Sequence, residues 1–253
     1  MKLRGYLTTA VIGTGLIVLD PVQRTVIAGL ASLFPAKRVA ILTRWERFLA
    51  RFILGSARVL GGARIPPAPT VPGHAGVLVL MNHQSVLDIP LVVAALRPHH
   101  PRIVTRARYA RGKPLISHMV RLYQYPVVES GATGREGLKK IREAARESPV
   151  PLVIYPEGHR TPDGQIGHWQ EGGLRMILGA RKWSVYLFVV DGFWRSAKLS
   201  DFIANVSTID GSALVLGPFE SPERGAEMEA FITDMRARMQ SGLATLRGSA
   251  PAA

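Results

Sequence analysis

Short apolar runs rich in β-branched residues alternate along this chain with segments of helical periodicity. The strand-like runs are Val77–Met81, Ile103–Thr105, Val127–Val128, Leu152–Tyr155 and Val185–Val190. The helical patterns between them are Ile89–Leu96, Glu136–Ala145 and Leu174–Ala180. Because strands that are joined through helices usually run parallel, the alternation predicts an α/β fold, with a mixed, mainly parallel sheet flanked by helices. A further strand over Ala213–Leu216 and a closing helix over Ala226–Leu246 complete the prediction.

The segments outside this alternation divide the chain into four parts. Residues 61–75 are dense in Gly and Pro, which sustain neither a helix nor a central strand, so they are predicted to form a linker. We expect membrane-associating helices over 1–60, an α/β domain with a C-terminal helix over 76–248, and a tail over 249–253. At 253 residues the chain is long enough for one sizeable core and an accessory segment.

The N-terminal part is both apolar and basic. Leu7–Leu19 and Val26–Phe34 are apolar, yet each run is shorter than the ~20 residues that a transmembrane helix needs. They predict a pair of helices lying in one leaflet, with a single tilted span across both runs as the alternative. Val39–Leu60 separates apolar residues from arginines around a helix, which predicts a basic amphipathic helix on a membrane or, alternatively, one packed on the core.

The overall charge indicates which kind of partner the chain binds. Lys and Arg number 32 against 18 Asp and Glu, a net charge of +14, while 47% of the residues are hydrophobic. Nucleic-acid binders are normally basic and hydrophilic, so this combination favours an anionic membrane surface and argues against nucleic acid. The chain has no cysteine, which excludes a disulfide framework, a thiol nucleophile and a thiolate zinc site.

The first polar block follows an apolar run at Leu78–Met81 and contains Asn82, His83 and Asp88. If His83 lies on the turn after the strand and Asp88 on the first turn of the next helix, the carboxylate can accept from Nδ1–H. That arrangement leaves Nε2 free to take a proton from a hydroxyl. The alternative is a helix cap in which Ser85 and Asp88 form a capping box and the histidine only fills a loop.

The second polar block follows the apolar run Leu152–Tyr155 and contains Glu157, Gly158 and Arg160. Glycine lets the backbone approach a ligand, arginine can bind a phosphate through two hydrogen bonds, and a nearby carboxylate can hold the arginine or a substrate hydroxyl. The alternative is an ordinary turn at Thr161–Gly164 beside a solvated ion pair.

Together the two blocks resemble the lysophosphatidic acid acyltransferase family, the 1-acylglycerol-3-phosphate O-acyltransferases. The resemblance rests on Asn-His-x4-Asp at 82–88, on Pro-Glu-Gly-x-Arg at 156–160 about seventy residues later, and on the basic apolar N-terminus. It covers roughly Val77 to Asp191. It implies transfer of a fatty acyl group from coenzyme A or acyl carrier protein to a lysophospholipid hydroxyl, with no metal and no cofactor. It also implies a membrane-associated enzyme, which we place on the cytoplasmic face of a bacterial inner membrane.

The resemblance assigns roles to individual residues. His83 is the general base and Asp88 orients it, while backbone N–H groups at the start of the following helix or around Gly158 could stabilise the oxyanion. The residues expected to bind substrate are Asn82, Glu157, Gly158 and Arg160.

The chain also departs from the family pattern. His159 and Thr161 stand where the family usually has Thr and Ser, and Lys182–Phe188 lacks the proline of a fourth family block. A family arginine that contacts the acceptor's phosphate has no equivalent in Tyr125–Ser130. The residues that could replace it are Arg135, or Arg106 and Arg108.

Two other functions stay open because of these departures. One is an acyltransferase with a different acceptor, such as another lysophospholipid, glycerol phosphate or an amino-acid-derived lipid. The other is a basic membrane-binding module without catalytic activity. The positive surface would suit either an anionic membrane or an acidic acyl donor.

Overall fold

The computed structural model describes residues 2–128, 135–222 and 226–248. Its α-helices are α1 (Lys2–Val22), α2 (Ala28–Leu33), α3 (Arg38–Val59), α4 (Asp88–Ala95), α5 (Ile116–Leu122), α6 (Arg135–Arg146), α7 (Glu171–Leu178), α8 (Leu199–Asn205) and α9 (Ala226–Leu246). Its strands are β1 (Val71–Gly73), β2 (Val77–Met81), β3 (Leu96–Pro98), β4 (Arg102–Ile103), β5 (Thr105–Arg106), β6 (Val127–Val128), β7 (Leu152–Ile154), β8 (Ser184–Asp191) and β9 (Ser212–Glu220).

The main sheet has five strands in the order β4-β7-β2-β8-β9. The first four are parallel, and β9 pairs antiparallel with β8. The predicted mixed, mainly parallel sheet is therefore confirmed. Because β2 lies at the centre, Leu80 pairs with Ile154 of β7 on one side and Leu187 of β8 on the other. The carboxyl ends of β2 and β7, which carry the two polar blocks, are adjacent.

The predicted strand Ile103–Thr105 is divided between two sheets. Its first residue belongs to β4 in the main sheet, whereas Thr105 belongs to β5, which pairs with β6 in a separate two-stranded sheet. The crossing takes place at Val104, whose amide donates to Val153 O (2.9 Å), while the next amide donates to Pro126 O (2.9 Å). Both predicted strands, β4–β5 and β6, thus occur, but β6 lies outside the main sheet.

Each face of the main sheet packs against its own set of helices. On β2, Val79 and Met81 belong to one apolar cluster, which includes residues of α3 and α4. Leu78 and Leu80 belong to a second cluster, with residues of α6, α7 and α9. All five residues of β2 are fully buried, as expected for a central parallel strand covered on both faces. Reactive groups are thereby confined to the strand ends.

The segment predicted as a linker packs against the domain. Val71 to Gly73 forms β1, which pairs in parallel with β3, and Val71 is fully buried. Nearer the N-terminus, Arg64 forms a bridge with Asp210. Residues 61–75 therefore include one short strand.

The two N-terminal apolar runs lie in one helix. Helices α1 and α2 are joined by a π-helical segment, Gln23–Ile27, so that the helix continues from Lys2 to Leu33. Prediction of two separate helices was wrong, because Pro21 does not interrupt the helix: the π-helical segment begins two residues later, and Thr25 Oγ1 donates to Pro21 O (2.8 Å). At 32 residues this helix is long and apolar enough to cross a membrane.

Polar residues within this apolar helix attach it to the domain. Asp20 Oδ1 accepts from the amide of Leu115 (2.8 Å), and Gln23 Nε2 donates to the carbonyl of the same residue (2.9 Å). Trp45 of α3 donates to Gln23 Oε1 (2.8 Å). These contacts explain why charged and amide side chains interrupt an otherwise apolar sequence.

Helix α3 uses both of its predicted faces in packing. Leu42 and Leu49 are buried, as the amphipathic pattern predicts. Two of the arginines on the polar side bind backbone carbonyls: Arg47 donates to Leu96 O (2.9 Å), and Arg58 donates to Ile65 O (3.2 Å). The helix therefore packs on the core, with only part of its basic face free for a membrane.

Candidate active site

The first polar block occupies the connection between β2 and α4. Asn82 follows the strand directly and is almost fully buried. Its side-chain amide donates to Val190 O (2.9 Å), and its oxygen accepts from Val190 N (2.8 Å). Both polar ends of Asn82 are therefore used to hold β2 against β8. Asn82 therefore supports the sheet in this structure, and its predicted contact with substrate stays a prediction.

His83 and Asp88 are brought together as the strand–turn–helix hypothesis required. His83 Nδ1 lies 2.7 Å from Asp88 Oδ2, with the histidine on the turn and the aspartate as the first residue of α4. The aspartate side chain is fully buried, whereas 12% of the histidine side chain is exposed. Because a carboxylate only accepts, this hydrogen bond places the proton on Nδ1 and leaves the Nε2 lone pair available as a base.

The alternative of a helix cap is correct in one respect, because Asp88 and Ser85 both accept hydrogen bonds from backbone amides of the turn. Asp88 Oδ2 also accepts from the amides of Gln84 (2.7 Å) and Ser85 (2.8 Å), and Ser85 Oγ accepts from Leu87 N (3.2 Å). One carboxylate oxygen thus caps the turn and orients His83. The two functions are compatible because the turn brings all three donors to one side of the carboxylate.

Tyr155 completes the surroundings of the imidazole and was not singled out in the sequence. Its ring stacks on that of His83, with centroids 4.2 Å apart and planes 29° apart. Burial, followed by the charge of Asp88, raises the pKa of Tyr155 well above its ordinary value, so the phenol stays neutral. Its position directly after β7 is the only sequence signal for this contact, because the chain does not reveal which strand neighbours β2.

Glu157 is fully buried and binds backbone on both sides. Oε1 accepts from His83 N (3.1 Å), and Oε2 accepts from Gly167 N (3.3 Å). Burial raises the pKa of Glu157 to about 7, against the lowering effect of these two amides. The carboxylate therefore links the two polar blocks. It does not pair with Arg160, which excludes the predicted ion-pair alternative for this residue.

Gly158 lies beside a cation from another sheet. Its φ is +70°, and a Cβ at this position would lie 3.2 Å from Gln170 Cγ and 3.7 Å from Arg106 Nη2. Arg106 is half-buried at the end of β5, and its guanidinium has no hydrogen-bond partner among the residues that the structure describes. Glycine thus permits an arginine to approach the second block closely.

The other three candidate arginines, Arg160, Arg108 and Arg135, are placed differently from Arg106. Arg160 Nη1 donates to Ala197 O (2.9 Å), so part of its guanidinium is already bound. Arg108 is exposed and lies over the ring of Tyr109, 5.0 Å from its centroid. Arg135 begins α6, but its side chain lies outside the described structure. Of the replacements proposed for the missing arginine, only Arg106 is shown next to the site.

Three amides near the two polar blocks are already occupied. The amides of Gln84 and Ser85 donate to Asp88, and the amide of Gly158 donates to Tyr155 O (2.9 Å). An oxyanion could not be stabilised by these three groups without breaking existing hydrogen bonds. The turn therefore uses two of its own amides to hold the carboxylate, and oxyanion stabilisation by amides at the start of α4 or around Gly158 stays a prediction.

Comparisons with known proteins identify the family and the fold. The Acyltransferase family model matches residues 63–190, which include both polar blocks. The structure resembles the crystal structure of the 1-acyl-sn-glycerophosphate (LPA) acyltransferase, PlsC, from Thermotoga maritima, with a TM-score of 0.71 and 16% sequence identity over 97% of this chain and 98% of that chain. At this identity the likeness shows a shared fold. The search among curated proteins returned no match.

Proposed function

This chain belongs to the acyltransferase family, and on that premise we propose that it transfers a fatty acyl group from a thioester to the free hydroxyl of lysophosphatidate, forming phosphatidate. The observation that carries the proposal is the 2.7 Å contact between His83 Nδ1 and Asp88 Oδ2 at the carboxyl end of β2. It orients the imidazole through Nδ1 and leaves Nε2, which has no hydrogen-bond partner among the described residues, to act as the base that an alcohol needs to become a nucleophile.

The reaction follows from that geometry. Nε2 of His83 removes the proton from the acceptor hydroxyl while the hydroxyl oxygen attacks the thioester carbonyl carbon. The C–S bond then breaks, and the thiolate takes the proton back from the imidazolium. Asp88 stabilises the transient positive charge because its carboxylate remains bound to Nδ1–H. No acyl-enzyme intermediate is needed.

We assign the acceptor's phosphate to Arg106. The guanidinium lies next to Gly158, at the carboxyl edge of the sheets, and has no partner among the described residues. A fixed guanidinium can bind two phosphate oxygens. Arg160 is the second candidate, since Nε has no hydrogen-bond partner within the described ranges and the side chain is partly exposed.

We propose that the N-terminal helix holds the enzyme on an anionic membrane, on the cytoplasmic face, where coenzyme A and acyl carrier protein are found. Large apolar side chains along it are exposed, including Leu3 (81%), Ile17 (61%) and Leu33 (74%). Their contact with lipid would bury apolar surface that the domain leaves open. Flotation with vesicles should therefore retain the protein at high salt, since apolar contacts are not screened.

The acceptor is tested with purified full-length protein, one acyl donor and a panel of acceptors. The panel contains lysophosphatidate, other lysophospholipids, glycerol phosphate and an amino-acid-derived lipid. We expect lysophosphatidate to react fastest and His83→Ala to lose at least ~10²-fold in kcat. No turnover of lysophosphatidate while another acceptor reacts would reject this substrate, and full activity of the variant would reject the mechanism.

A matched pair of arginine variants tests the phosphate assignment. Arg106→Gln should raise KM for lysophosphatidate by about tenfold or more, as expected for loss of a charged hydrogen bond. Arg108→Gln, two residues away and exposed, should leave KM unchanged. Equal effects of both variants would mean that general surface charge binds the acceptor.

A further inference from the structure

An arginine at the C-terminal end of the domain reaches back to the turn that carries His83. Arg247 follows α9 directly. Its Nε donates to Asp191 Oδ2 (2.9 Å) and its Nη2 donates to Asp191 Oδ1 (2.9 Å), so the carboxylate is bound at both oxygens. Asp191 is the last residue of β8, next to β2 in the sheet. A contact across 56 positions thus joins the last helix to the carboxyl edge.

Gln84 shares both acceptors of this arginine. Arg247 Nη2 also donates to Gly164 O (2.7 Å), and Gln84 Nε2 donates to Gly164 O (3.3 Å) and to Asp191 Oδ1 (3.1 Å). The other end of the Gln84 amide accepts from Phe193 N (3.1 Å), and its side chain is fully buried. Both the nitrogen and the oxygen of this amide are therefore hydrogen-bonded. We call Gln84, Gly164, Asp191 and Arg247 the Arg247 cluster.

Gly164 is fitted to this cluster. Its φ is +73°, and a Cβ there would lie 2.9 Å from Arg247 Nη2 and 2.7 Å from Trp194 Cδ1. The loop after the second polar block can approach the arginine only because this residue is glycine. Arg247 thus contacts the loop after the second polar block directly, at Gly164. It is connected to the turn after β2 through Asp191 and Gln84.

The cluster continues directly to the base. Gln84 is the residue after His83, and its backbone amide donates to Asp88 Oδ2 at 2.7 Å. A shift of Gln84 would therefore move both the histidine and a donor that holds its carboxylate partner. Displacements of about 1 Å at a reacting group can cost ~10²-fold in rate.

The ion pair differs from an ordinary surface pair. The side chains of Arg247 and Asp191 are 27% and 15% exposed, and the geometry is bidentate. Burial raises the pKa of Asp191, but the hydrogen bonds from Arg247 and Gln84 outweigh that effect and hold it below its ordinary value. A bidentate, partly buried pair within a network is the kind of ion pair that fixes a geometry.

We propose that Arg247 is a positioning residue of the acyl-transfer site, which holds the His83–Asp88 turn through Asp191 and Gln84. The inference rests on the proposed function. Arg247 and Asp191 lie beyond residues 63–190, the stretch that matches the family model. The C-terminal helix therefore supplies a part of the active site that the matched segment does not contain.

The test compares Arg247→Ala and Arg247→Lys with Arg238→Ala. Arg238 lies on the same helix, is about half-exposed and pairs with Asp234 one turn away. Steady-state kinetics are measured well below each melting temperature, and hydrogen exchange is followed in the peptide that contains Gln84 and Ser85. We expect Arg247→Ala to lower kcat by about 10- to 100-fold with little change in KM. Lysine should be intermediate because one ammonium cannot form the same fork.

The exchange measurement separates positioning from general destabilisation. In Arg247→Ala the amides of Gln84 and Ser85 should exchange faster while the amides of β2 stay protected, and Arg238→Ala should match the wild type in both assays. A folded Arg247→Ala protein with wild-type kcat and wild-type exchange would overturn the proposal. If Arg247→Ala does not fold, the proposal is tested with Arg247→Lys and Asp191→Asn instead. A wild-type kcat in both of these variants would overturn the proposal.

The two proposals fail differently. Absence of acyl transfer by the wild-type protein would reject the proposed function, whatever the exchange pattern. An active wild type whose kcat is insensitive to Arg247 would reject only the positioning role.

Discussion

The ends of β2 and β7 look alike in the sequence but are used differently in the structure. Each is an apolar strand that stops at a polar block containing a carboxylate and a basic residue. After β2, Asp88 binds His83 and leaves its ring partly exposed. After β7, Glu157 binds two backbone amides, and Arg160 donates to a carbonyl. In the proposed mechanism the first block performs the chemistry, and the second supports it.

The role of a buried carboxylate can therefore be inferred from the groups to which it is hydrogen-bonded. A carboxylate that binds a titratable ring can alter the ring's charge and orientation. One that binds only amides fixes backbone and contributes to the reaction through geometry. Substitutions at four positions test this distinction, from the largest expected effect on activity to the smallest.

Asp88→Asn should have the largest effect. Asp88 Oδ1 has no hydrogen-bond partner in the described part of the chain, so asparagine can place its NH2 there and keep its oxygen on the three donors. The variant removes the negative charge while leaving the turn in place. We expect kcat to fall by at least ~10²-fold, because the imidazolium loses its counter-ion. Asp234→Asn, at an exposed ion pair of α9, is the control. Wild-type kcat for Asp88→Asn would show that the first block is also only a support.

Glu157→Gln should reduce stability more clearly than it reduces activity. Since both oxygens of Glu157 accept from amides, the NH2 of glutamine must face one backbone N–H. We expect the free energy of unfolding at pH 8 to fall by about 1–3 kcal/mol, as for a buried donor that loses its acceptor. Kinetics and chemical denaturation of the same preparation measure both effects, with the exposed Glu143→Gln as control. A loss of kcat as large as that of Asp88→Asn, without loss of stability, would give Glu157 a direct chemical role.

Tyr155 should matter through its ring rather than its hydroxyl. The hydroxyl has no partner among the described residues, so Tyr155→Phe should keep both kcat and stability. Tyr155→Leu removes the stack on His83, and since aromatic pairs contribute about 0.5–1.5 kcal/mol, we expect kcat to fall by roughly 2- to 12-fold. A strong loss in Tyr155→Phe would instead assign the function to the phenol.

Glu46 is a buried carboxylate away from the site, and its substitution is the one for which no effect on activity is expected. It is buried in α3, accepts from the Tyr125 hydroxyl, and burial raises its pKa to about 8 from an ordinary value of 4.5. Between these values the folded protein holds a proton that the unfolded chain has released. The free energy of unfolding should therefore decrease as pH rises from about 4.5 to 8 and then level off.

Glu46→Gln should remove most of this slope without changing kcat. Glu157, whose pKa is raised to about 7, contributes a slope of the same sign over a narrower range, so a smaller dependence should remain. Denaturation in detergent at pH 5, 6, 7 and 8 measures the difference. Parallel curves for the variant and the wild type would contradict the raised pKa of Glu46.

The sequence by itself determined the parts of the protein that depend on local pattern. The alternation of apolar runs and helical periodicity predicted the mainly parallel sheet, because burial on both faces requires strands like β2 to be wholly apolar. The spacing of His83 and Asp88 predicted their contact, since five positions across a strand–turn–helix bring a residue of the turn to the first helical turn. The apolar, basic N-terminus predicted membrane association, although its two separate apolar runs predicted two helices where the structure has one.

Only the tertiary structure decided the partners that are distant along the chain. The pattern of Asn82 and Glu157 resembles that of a binding residue, but their amide and carboxylate groups face backbone from β8 and from the loop after β7. Sequence spacing could not select Arg106 from the candidate arginines, because β5 reaches Gly158 only after the chain leaves the main sheet at Val104. Arg247 gave no local signal at all. The positioning role that we propose for it depends on parallel strands collecting residues from the whole chain at one edge. The neighbours at that edge are set by strand order, which local pattern does not encode.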